Sequence, residues 1–326
     1  MAKGSKVVVT GAAGFIGMHL IQELVTRGYD VYGIDNFRPS YGGEWCHLRA
    51  KSLSDNLGLE IKSVDLSDFN SIKDLTFLFA DAHSVIHLAA WPGVRQGQID
   101  PYSYMNSNLT GFSNVMEAVR IAKPRQVMFA SSSSVYGEPR RIRPIEEQDA
   151  DGLNLRSLYA STKWANEILA AQLSQIYGLP MIALRFFTVY GEFGRPDMAY
   201  WTFLEKLLLR EPIQLYGESG GKRNFTYVKD AVRLTSDLIE KNLTGMFPVN
   251  LSIGSPFETR YFLDSIAKTV GVSPTIQIVE RPSVDVSITW GSTKTIESVL
   301  GTYTPTGLDE GISQFTSWYL KNVKKI

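Results

Sequence analysis

A single cysteine, Cys46, among 326 residues excludes an intrachain disulfide and any metal site built from several cysteines, and it fits a reducing cytosol. Its ordinary reading is a half-buried apolar thiol or an idle surface one. An excess of one charge is lacking too, since lysine plus arginine and aspartate plus glutamate each number 33. No single-sign field is therefore present for non-specific binding to nucleic acid or to an anionic membrane, and an anionic ligand must be met by a local cluster of arginines. Long apolar runs are missing. The first, Val7 to Val9, stops at Thr10 and Gly11, far short of a signal-peptide core or of the ~20 apolar residues of a membrane span. We expect no export and no membrane insertion, hence a cytoplasmic protein. The four histidines, His19, His47, His83 and His87, lack metal-ligand spacing, so no metal is expected. His87, at a buried strand end, is read as a packed, hydrogen-bonded imidazole. No internal repeat, low-complexity tract or flexible linker interrupts the chain.

The chain does contain a regular alternation. Lys6 to Thr10, Tyr29 to Asp35, Glu60 to Val64, Val85 to Ala89 and Gln126 to Ala130 read as short buried strands separated by amphipathic stretches. That is the pattern of a parallel sheet covered on both faces. Two longer helices are predicted at about Tyr102 to Ala122 and Ser157 to Tyr177, ending at Lys-Pro and Gly-Leu-Pro, where proline bars continuation. After a strand at Met181 to Phe187 the alternation becomes irregular, with glycine and proline clustered at Gly191 to Pro196 and Gly217 to Gly221. The length suits a nucleotide-binding domain plus a smaller lobe. Asp309 to Lys324 carries Ile312, Phe315, Trp318, Tyr319 and Val323, read as a helix packed on that lobe.

Gly11-Ala-Ala-Gly14-Phe-Ile-Gly17 follows the strand Val7, Val8, Val9 directly and opens the helical pattern Phe15, Ile16, Leu20, Leu24. Glycine permits a tight turn and close backbone approach, and the helix N-terminus offers unpaired N–H groups to a pyrophosphate. Asp35 ends the second strand 18 residues past Gly17, placed to accept hydrogen bonds from an adenosine ribose and to repel a 2'-phosphate. NAD is therefore expected over NADP. Nearby Arg38 either weakens that preference or is a solvated loop residue. Asp65, after the third strand, either accepts from the adenine amino group or caps the next helix. The expected fold is α/β, a Rossmann-like doubly wound parallel sheet with a smaller C-terminal α/β substrate lobe. Residues 1–187, with returns at about 226–254, form the NAD-binding domain, and 188–326 form mainly the second lobe, with a fixed cleft between them.

Tyr159 and Lys163 stand four apart in Tyr-Ala-Ser-Thr-Lys, on one face of the second long helix. A phenol titrates near ~10 and is a poor base at neutral pH unless positive charge favours the phenolate. Lys163 and a nicotinamide ring would supply that charge. Taken alone, the pair reads as a solvated contact on an amphipathic helix. Beside the glycine turn and the serine run Ser131 to Ser134, it describes a nicotinamide-dependent active site.

These motifs together resemble the extended short-chain dehydrogenase/reductase family, the sugar-nucleotide epimerases and dehydratases. The resemblance covers nearly the whole chain, through His87-Leu-Ala-Ala90, Asn108-Leu-Thr-Gly111, Ser134-Val-Tyr-Gly137 and Arg223-Asn-Phe-Thr-Tyr-Val228. Leu184-Arg-Phe-Phe-Thr188-Val-Tyr-Gly191, followed by Gly194-Arg-Pro-Asp-Met198, resembles the UDP-glucuronate 4-epimerases. The resemblance implies that Tyr159 takes the proton of a sugar C4 hydroxyl while NAD takes the hydride. Lys163 would lower the phenol pKa and bind the nicotinamide ribose, and Ser132 would hydrogen-bond the reacting oxygen. Gly11, Gly14, Phe15, Ile16, Gly17, Asp35, Asn36, Asp65, Leu66, Leu88, Ala89, Ala90 and Asn108 would serve the cofactor with Tyr159 and Lys163, Asn108 by orienting the neighbouring helix. A homodimer built on the two long helices is implied as well.

The step after oxidation separates the reactions of this family. Its 4,6-dehydratases carry Asp-Glu after the catalytic threonine, because eliminating water needs an extra acid and base. Ser133 and Ser134 stand there in this chain, and the glutamate usual in the decarboxylases is also missing at 134. Return of the hydride to the opposite face of a 4-keto sugar, inverting C4, is the simplest outcome left. The expected activity is NAD-dependent conversion of UDP-glucuronate to UDP-galacturonate. A UDP-hexose 4-epimerase and a UDP-glucuronate decarboxylase are the alternatives. A non-catalytic NAD-binding sensor would have little reason to keep Tyr159, Lys163 and the serines.

A 4-keto uronate is a β-keto acid, prone to lose carbon dioxide, so its carboxylate must be held with the breaking bond out of line with the carbonyl π system. Arg195 and Thr188 are the candidates, since a guanidinium binds a carboxylate bidentately. A salt bridge from Arg195 to Asp197 or Glu192 is the other reading. The resemblance makes Arg223 and Arg281 the clamp for the nucleotide diphosphate, with two departures. Asn224 stands where aspartate is usual, and Arg281-Pro-Ser-Val-Asp-Val286 holds one extra residue. Arg95, in Pro-Gly-Val-Arg, either approaches the sugar or lies on the surface. Ser132, Ser133 and Ser134 complete the expected substrate set, and UDP is implied by the family alone.

Overall fold

The computed structural model describes residues 4–39 and 44–323. Strands β1 (Lys6–Thr10), β2 (Asp30–Asp35), β3 (Ile61–Ser63), β4 (Ser84–His87), β5 (Gln126–Ser132) and β6 (Met181–Phe186) alternate with helices in the first half. These are α1 (Phe15–Thr26), α2 (Trp45–Leu57), α3 (Ser71–Phe79), α4 (Pro101–Met105), α5 (Gly111–Ala122) and α6 (Leu158–Tyr177). The second half holds β7 (Thr188–Tyr190), α7 (Ala199–Leu209), β8 (Ile213–Tyr216), β9 (Lys222–Arg223), β10 (Phe225–Tyr227), α8 (Val228–Ile239) and β11 (Met246–Leu251). It closes with β12 (Phe257–Glu258), α9 (Thr259–Val270), β13 (Ile276–Val279), α10 (Lys294–Leu300) and α11 (Leu308–Asn322).

Seven strands form one parallel sheet in the order β11-β6-β5-β4-β1-β2-β3. The valines of β1 explain its covering on both sides. Val7 and Val9 enter the core that includes Leu20 of α1 and Leu238 of α8, whereas Val8 enters the one that includes Leu75 of α3 and Phe112 of α5. A strand buried on both faces needs this unbroken apolar run. Because β1 pairs with β2 on one side and β4 on the other, the strand order reverses at β1, and a crevice opens beyond the carboxyl ends of these strands.

The small pairs β7–β10 and β8–β13, both parallel, and β9–β12, antiparallel, lie outside this sheet. They pack with α7, α9 and α11 around buried aromatic rings, among them Tyr190, Tyr200, Trp201, Phe262 and Phe315. The expected extension of the last helix to Lys324 lies outside the described residues.

Helix α6 starts where Ser157 Oγ accepts the Ala160 N–H at 3.1 Å and ends at Gly178, whose φ of 64° suits glycine. The other long helix, capped by Asp100 Oδ1 accepting from Ser103 N at 3.1 Å, is continuous but irregular. Residues Asn106–Thr110 form a π turn between α4 and α5. Two strand ends differ from expectation by more than one residue. β4 stops at His87, which frees Leu88 to Ala90 from the sheet, while β5 runs on because Ser131 and Ser132 still pair with Arg185 and Phe186. Among the described residues, no helix is long and apolar enough to cross a membrane.

Candidate active site

A cleft of about 740 Å³ runs from the glycine turn, past the ends of β4 and β5, to β7, β9 and the segment around Asp285. Gly11 has a φ of 73°, and a Cβ there would stand 2.6 Å from Ala89 N, so the turn can pass the end of β4 only as glycine. A Cβ on Gly17 would run into the Gly11 carbonyl. Helix α1 begins without a side-chain cap or an acidic residue in its first turn, so its leading amides are left for an anion. Asp35 holds the far side of the turn, accepting from Ala13 N at 3.0 Å and Phe37 N at 2.8 Å. Burial pushes its carboxyl up, against the pull of those amides.

Gly14, Phe15, Ile16, Asn36, Arg38, Asp65, Leu66, Leu88, Ala89 and Ala90 line the same end of the cleft. Asp65 does not cap α3, whose N-cap is Asn70. It closes its own turn instead, accepting from Ser67 N at 2.9 Å and Ser67 Oγ at 2.7 Å. Asn108 sits behind the cleft wall, 1% exposed. Its Oδ1 accepts from Trp91 N at 2.7 Å and its Nδ2 donates to Thr162 Oγ1 at 3.1 Å, which ties α6 to the loop after β4. The expected service to a cofactor is thus indirect. A dinucleotide fits these residues: a cradle that side chains would fill, a bare helix start, and a carboxylate 18 residues beyond Gly17. Among the described residues, no group of three or more His, Cys, Asp or Glu side chains is placed to hold a metal ion.

At the inner end of the cleft Tyr159, Lys163 and Ser132 converge. Lys163 Nζ donates to the Ala130 carbonyl at 2.8 Å and lies 5.8 Å from the centre of the Tyr159 ring. Burial lowers its pKa to about 8. Burial pushes the Tyr159 phenol up, and the Arg195 guanidinium and the Ser132 hydroxyl pull it down. The Lys163 ammonium is turned to a backbone carbonyl, and its charge is itself disfavoured by burial. Ser132 Oγ accepts from Ser134 N at 3.1 Å, and Ser133 and Ser134 also line the cleft. His87 lies beneath, with Nδ1 2.7 Å from Thr10 Oγ1, its pKa driven to about 3 chiefly by burial.

Ser131 also lines the cleft, but its hydroxyl is buried and donates to Glu167 Oε1. Glu167 in turn is gripped by Arg185, whose Nε and Nη2 reach its two carboxylate oxygens at 3.0 and 2.6 Å. Arg185 Nη1 also donates to the Tyr136 hydroxyl at 2.9 Å and to the Glu147 carbonyl at 2.7 Å. A buried polar network therefore underlies the β5 end and α6.

Four arginines were expected at the substrate end. Arg195 lines the cleft but donates to both oxygens of Asp197, at 3.0 and 2.6 Å, the salt bridge that was its other reading. Thr188 lines the same wall. Arg95 donates to Asp285 at 3.3 and 2.6 Å and lies 5.0 Å from the centre of the Tyr216 ring, so it lines the cleft at its exposed rim. Arg223 donates to the carbonyls of Val286 at 2.8 Å and Ser287 at 3.2 Å, and burial lowers its pKa. Arg281 approaches Arg223 beside Gly221, but it is not part of the cleft lining, and its Nε is buried with no hydrogen-bond partner. Asp285 and Glu138, which accepts from Ser287 N at 3.1 Å, were missed by sequence reasoning. They join partners 190 and 149 residues away, a separation that leaves no local spacing to read.

Residues 7–254 match the model of the NAD-dependent epimerase/dehydratase family. The chain belongs to that family. A probable UDP-glucuronate 4-epimerase of Rhizobium meliloti is 32% identical to it over 98% of both chains. UDP-glucuronate 4-epimerase 1 of Arabidopsis thaliana is 36% identical, over 97% of this chain and 77% of the plant protein. The crystal structure of UDP-glucuronic acid 4-epimerase from Bacillus cereus, in complex with UDP-glucuronic acid and NAD, superposes with a TM-score of 0.89 at 31% identity, covering 97% of this chain and 99% of that one. Within this epimerase/dehydratase family the glycine turn, Tyr159, Lys163 and Ser132 thus share one cleft with an arginine-rich far end.

Proposed function

We propose that this chain is a UDP-glucuronate 4-epimerase, converting its substrate to UDP-galacturonate through a 4-keto intermediate. The observation that carries the reading is the convergence of Tyr159, Lys163 and Ser132 with Arg195 in one cleft, together with the absence of a carboxyl group at positions 133 and 134. NAD supplies a reversible hydride acceptor at the sugar C4. Tyr159 holds the C4 hydroxyl proton when it leaves and returns it after inversion. Ser132 hydrogen-bonds the reacting oxygen, and Lys163 binds the nicotinamide ribose. Burial holds the phenol above its ordinary pKa in the folded chain while Arg195 and Ser132 pull against that rise, and the cationic ring of the bound cofactor would add to that pull.

Asp35 selects the unphosphorylated adenosine ribose, and Gly11, Gly14 and Gly17 seat the pyrophosphate against α1. Arg195, exchanging Asp197 for the sugar carboxylate, and Thr188 keep the 4-keto uronate from losing carbon dioxide. Arg223 and Arg95 face the diphosphate and sugar, with Arg281 placed beside Arg223 at Gly221. On this reading residues 1–187, with returns at about 226–254, serve NAD, and 188–326 mainly serve the nucleotide sugar. A homodimer through the outer faces of α4–α5 and α6 is supported by Tyr102, Met105, Ile121, Ile168, Leu169 and Ile176, which are exposed apolar side chains there. The cytoplasm is the expected compartment. Incubating the purified protein with UDP-glucuronate and separating the products tests the activity. UDP-galacturonate is the expected product; a UDP-pentose, or turnover of UDP-glucose alone, would overturn the assignment.

A further inference from the structure

We infer that Arg49, on α2, is a positioning residue that locks the loop bearing Arg195 to the dinucleotide turn, so that the grip on the sugar carboxylate depends on the cofactor side of the cleft. The inference rests on Arg195 acting as that grip in the proposed epimerase. Arg49 is fully buried. Its Nε donates to the Phe193 carbonyl and its Nη2 to the Gly194 carbonyl, both at 2.9 Å, and its Nη1 approaches the Ala13 carbonyl at 3.5 Å. Ala13 lies in the glycine turn, and its own N–H is held by Asp35 at 3.0 Å. One guanidinium thus joins the turn, the carboxylate assigned to the ribose and the two residues that precede Arg195.

The loop needs such an anchor. Phe193 has a φ of 52°, a left-handed conformation that a bulky residue keeps only when its surroundings impose it. Its ring packs 4.7 Å from that of Trp318. A side chain at Gly194 would collide with the Tyr200 hydroxyl, which itself accepts the Arg195 N–H at 3.0 Å. The fork of an arginine serves two neighbouring carbonyls at once, whereas a lysine offers one compact charge. A buried cation is costly unless hydrogen-bonded, and here its bonds reach 144 and 145 residues along the chain to the substrate loop.

The test compares calorimetric affinities of the NAD-loaded protein for UDP-glucuronate, UDP-glucose and UDP. Arg49→Gln should lose about 10-fold of the preference for UDP-glucuronate over UDP-glucose, because a small misplacement of a binding group is enough, while UDP affinity changes by less than about threefold. Arg49→Lys should behave like Arg49→Gln. The double variant Arg49→Gln/Arg195→Ala should lose no more than Arg195→Ala alone, since both act on one contact. Retained preference in Arg49→Gln, rescue by lysine, or additive losses would each overturn the inference. Arg195→Ala reads separately on the carboxylate grip: if it keeps the preference, the reading of Arg195 falls whatever Arg49 does. Should the Arg49 variants not fold, amide exchange over residues 193–195 of the unaltered protein decides. Protection should rise on NAD loading, and unchanged protection sinks the proposal.

Discussion

Replacing Arg185 by methionine tests whether the buried ion pair beneath the active site holds the β5 end and α6 together. Arg185 and Glu167 have side chains only 3% and 5% exposed. The guanidinium makes four hydrogen bonds: two to Glu167, one to Tyr136 and one to the Glu147 carbonyl. Removing one partner of such a pair strands the other charge, at a cost of about 3–5 kcal/mol. Methionine matches the length of the arginine stem but donates nothing, so Tyr136 and Glu147 each lose a partner as well. In the double variant Glu167→Met/Arg185→Met neither charge of the pair is left, and it should be more stable than Arg185→Met alone. The Ser131 hydroxyl then lacks its acceptor and the Glu147 carbonyl its Arg185 donor, each a loss of about 1–3 kcal/mol if it stays dry. Urea unfolding of the NAD-loaded parent, Arg185→Met, Glu167→Met and the double variant, followed by ellipticity, gives all four values by linear extrapolation. An Arg185→Met protein within about 1 kcal/mol of the parent, or a double variant as unstable as the sum of the singles, would refute the reasoning.

Three further outcomes are expected. Tyr159→Phe should reduce turnover by about 10²–10⁴-fold while NAD stays bound, as read from cofactor absorbance in the purified protein; unimpaired turnover would remove the proposed proton acceptor. With Lys163 lowered to about 8, kcat/KM should fall as pH rises through that value and the ammonium discharges. Lys163→Arg, weaker throughout, should lack that fall, and an identical profile would assign the limb to another group. His87 is buried with a pKa near 3, so between there and 6.5 the unfolded chain binds a proton that the folded chain does not, and stability drops as pH falls. Its share of the loss from pH 7 to pH 5 is about 2 kcal/mol, which should vanish in His87→Asn when urea midpoints at the two pH values are compared.

Much of the sheet and the cofactor end of the cleft was legible because their signals are local. Glycines three apart after a valine run, an aspartate at the next strand end and Tyr159 four before Lys163 each fix a geometry within a few residues. The serine run was legible in place but not in direction. Since β5 continues to Ser132, the alternation of a strand sends Ser131 to Glu167 and Ser132 into the cleft. The substrate end was less legible, because its arginines are set by contacts across the fold. Arg95 meets Asp285, and Arg223 holds the carbonyls of Val286 and Ser287. Arg49 carried no motif, yet its burial places it at the junction of both halves. The electrostatics of Tyr159 were hidden for a similar reason, as Arg195 lies 36 positions away in sequence and beside it in space.

The π turn at Asn106–Thr110 amounts to a phase shift within one rod. Each residue of an α-helix advances the helix by ~100°, and a single π turn absorbs an extra residue without breaking the helix. Upstream of it Tyr104 faces Tyr159, with ring centres 6.3 Å apart, and downstream Phe112, Val115 and Val119 face the sheet. A chain one residue shorter here would keep its apolar stripe against the sheet only by rotating Tyr104 away from the reacting phenol. The irregularity therefore lets one continuous helix satisfy two incompatible angular demands, one set by the hydrophobic interior and one by the chemistry.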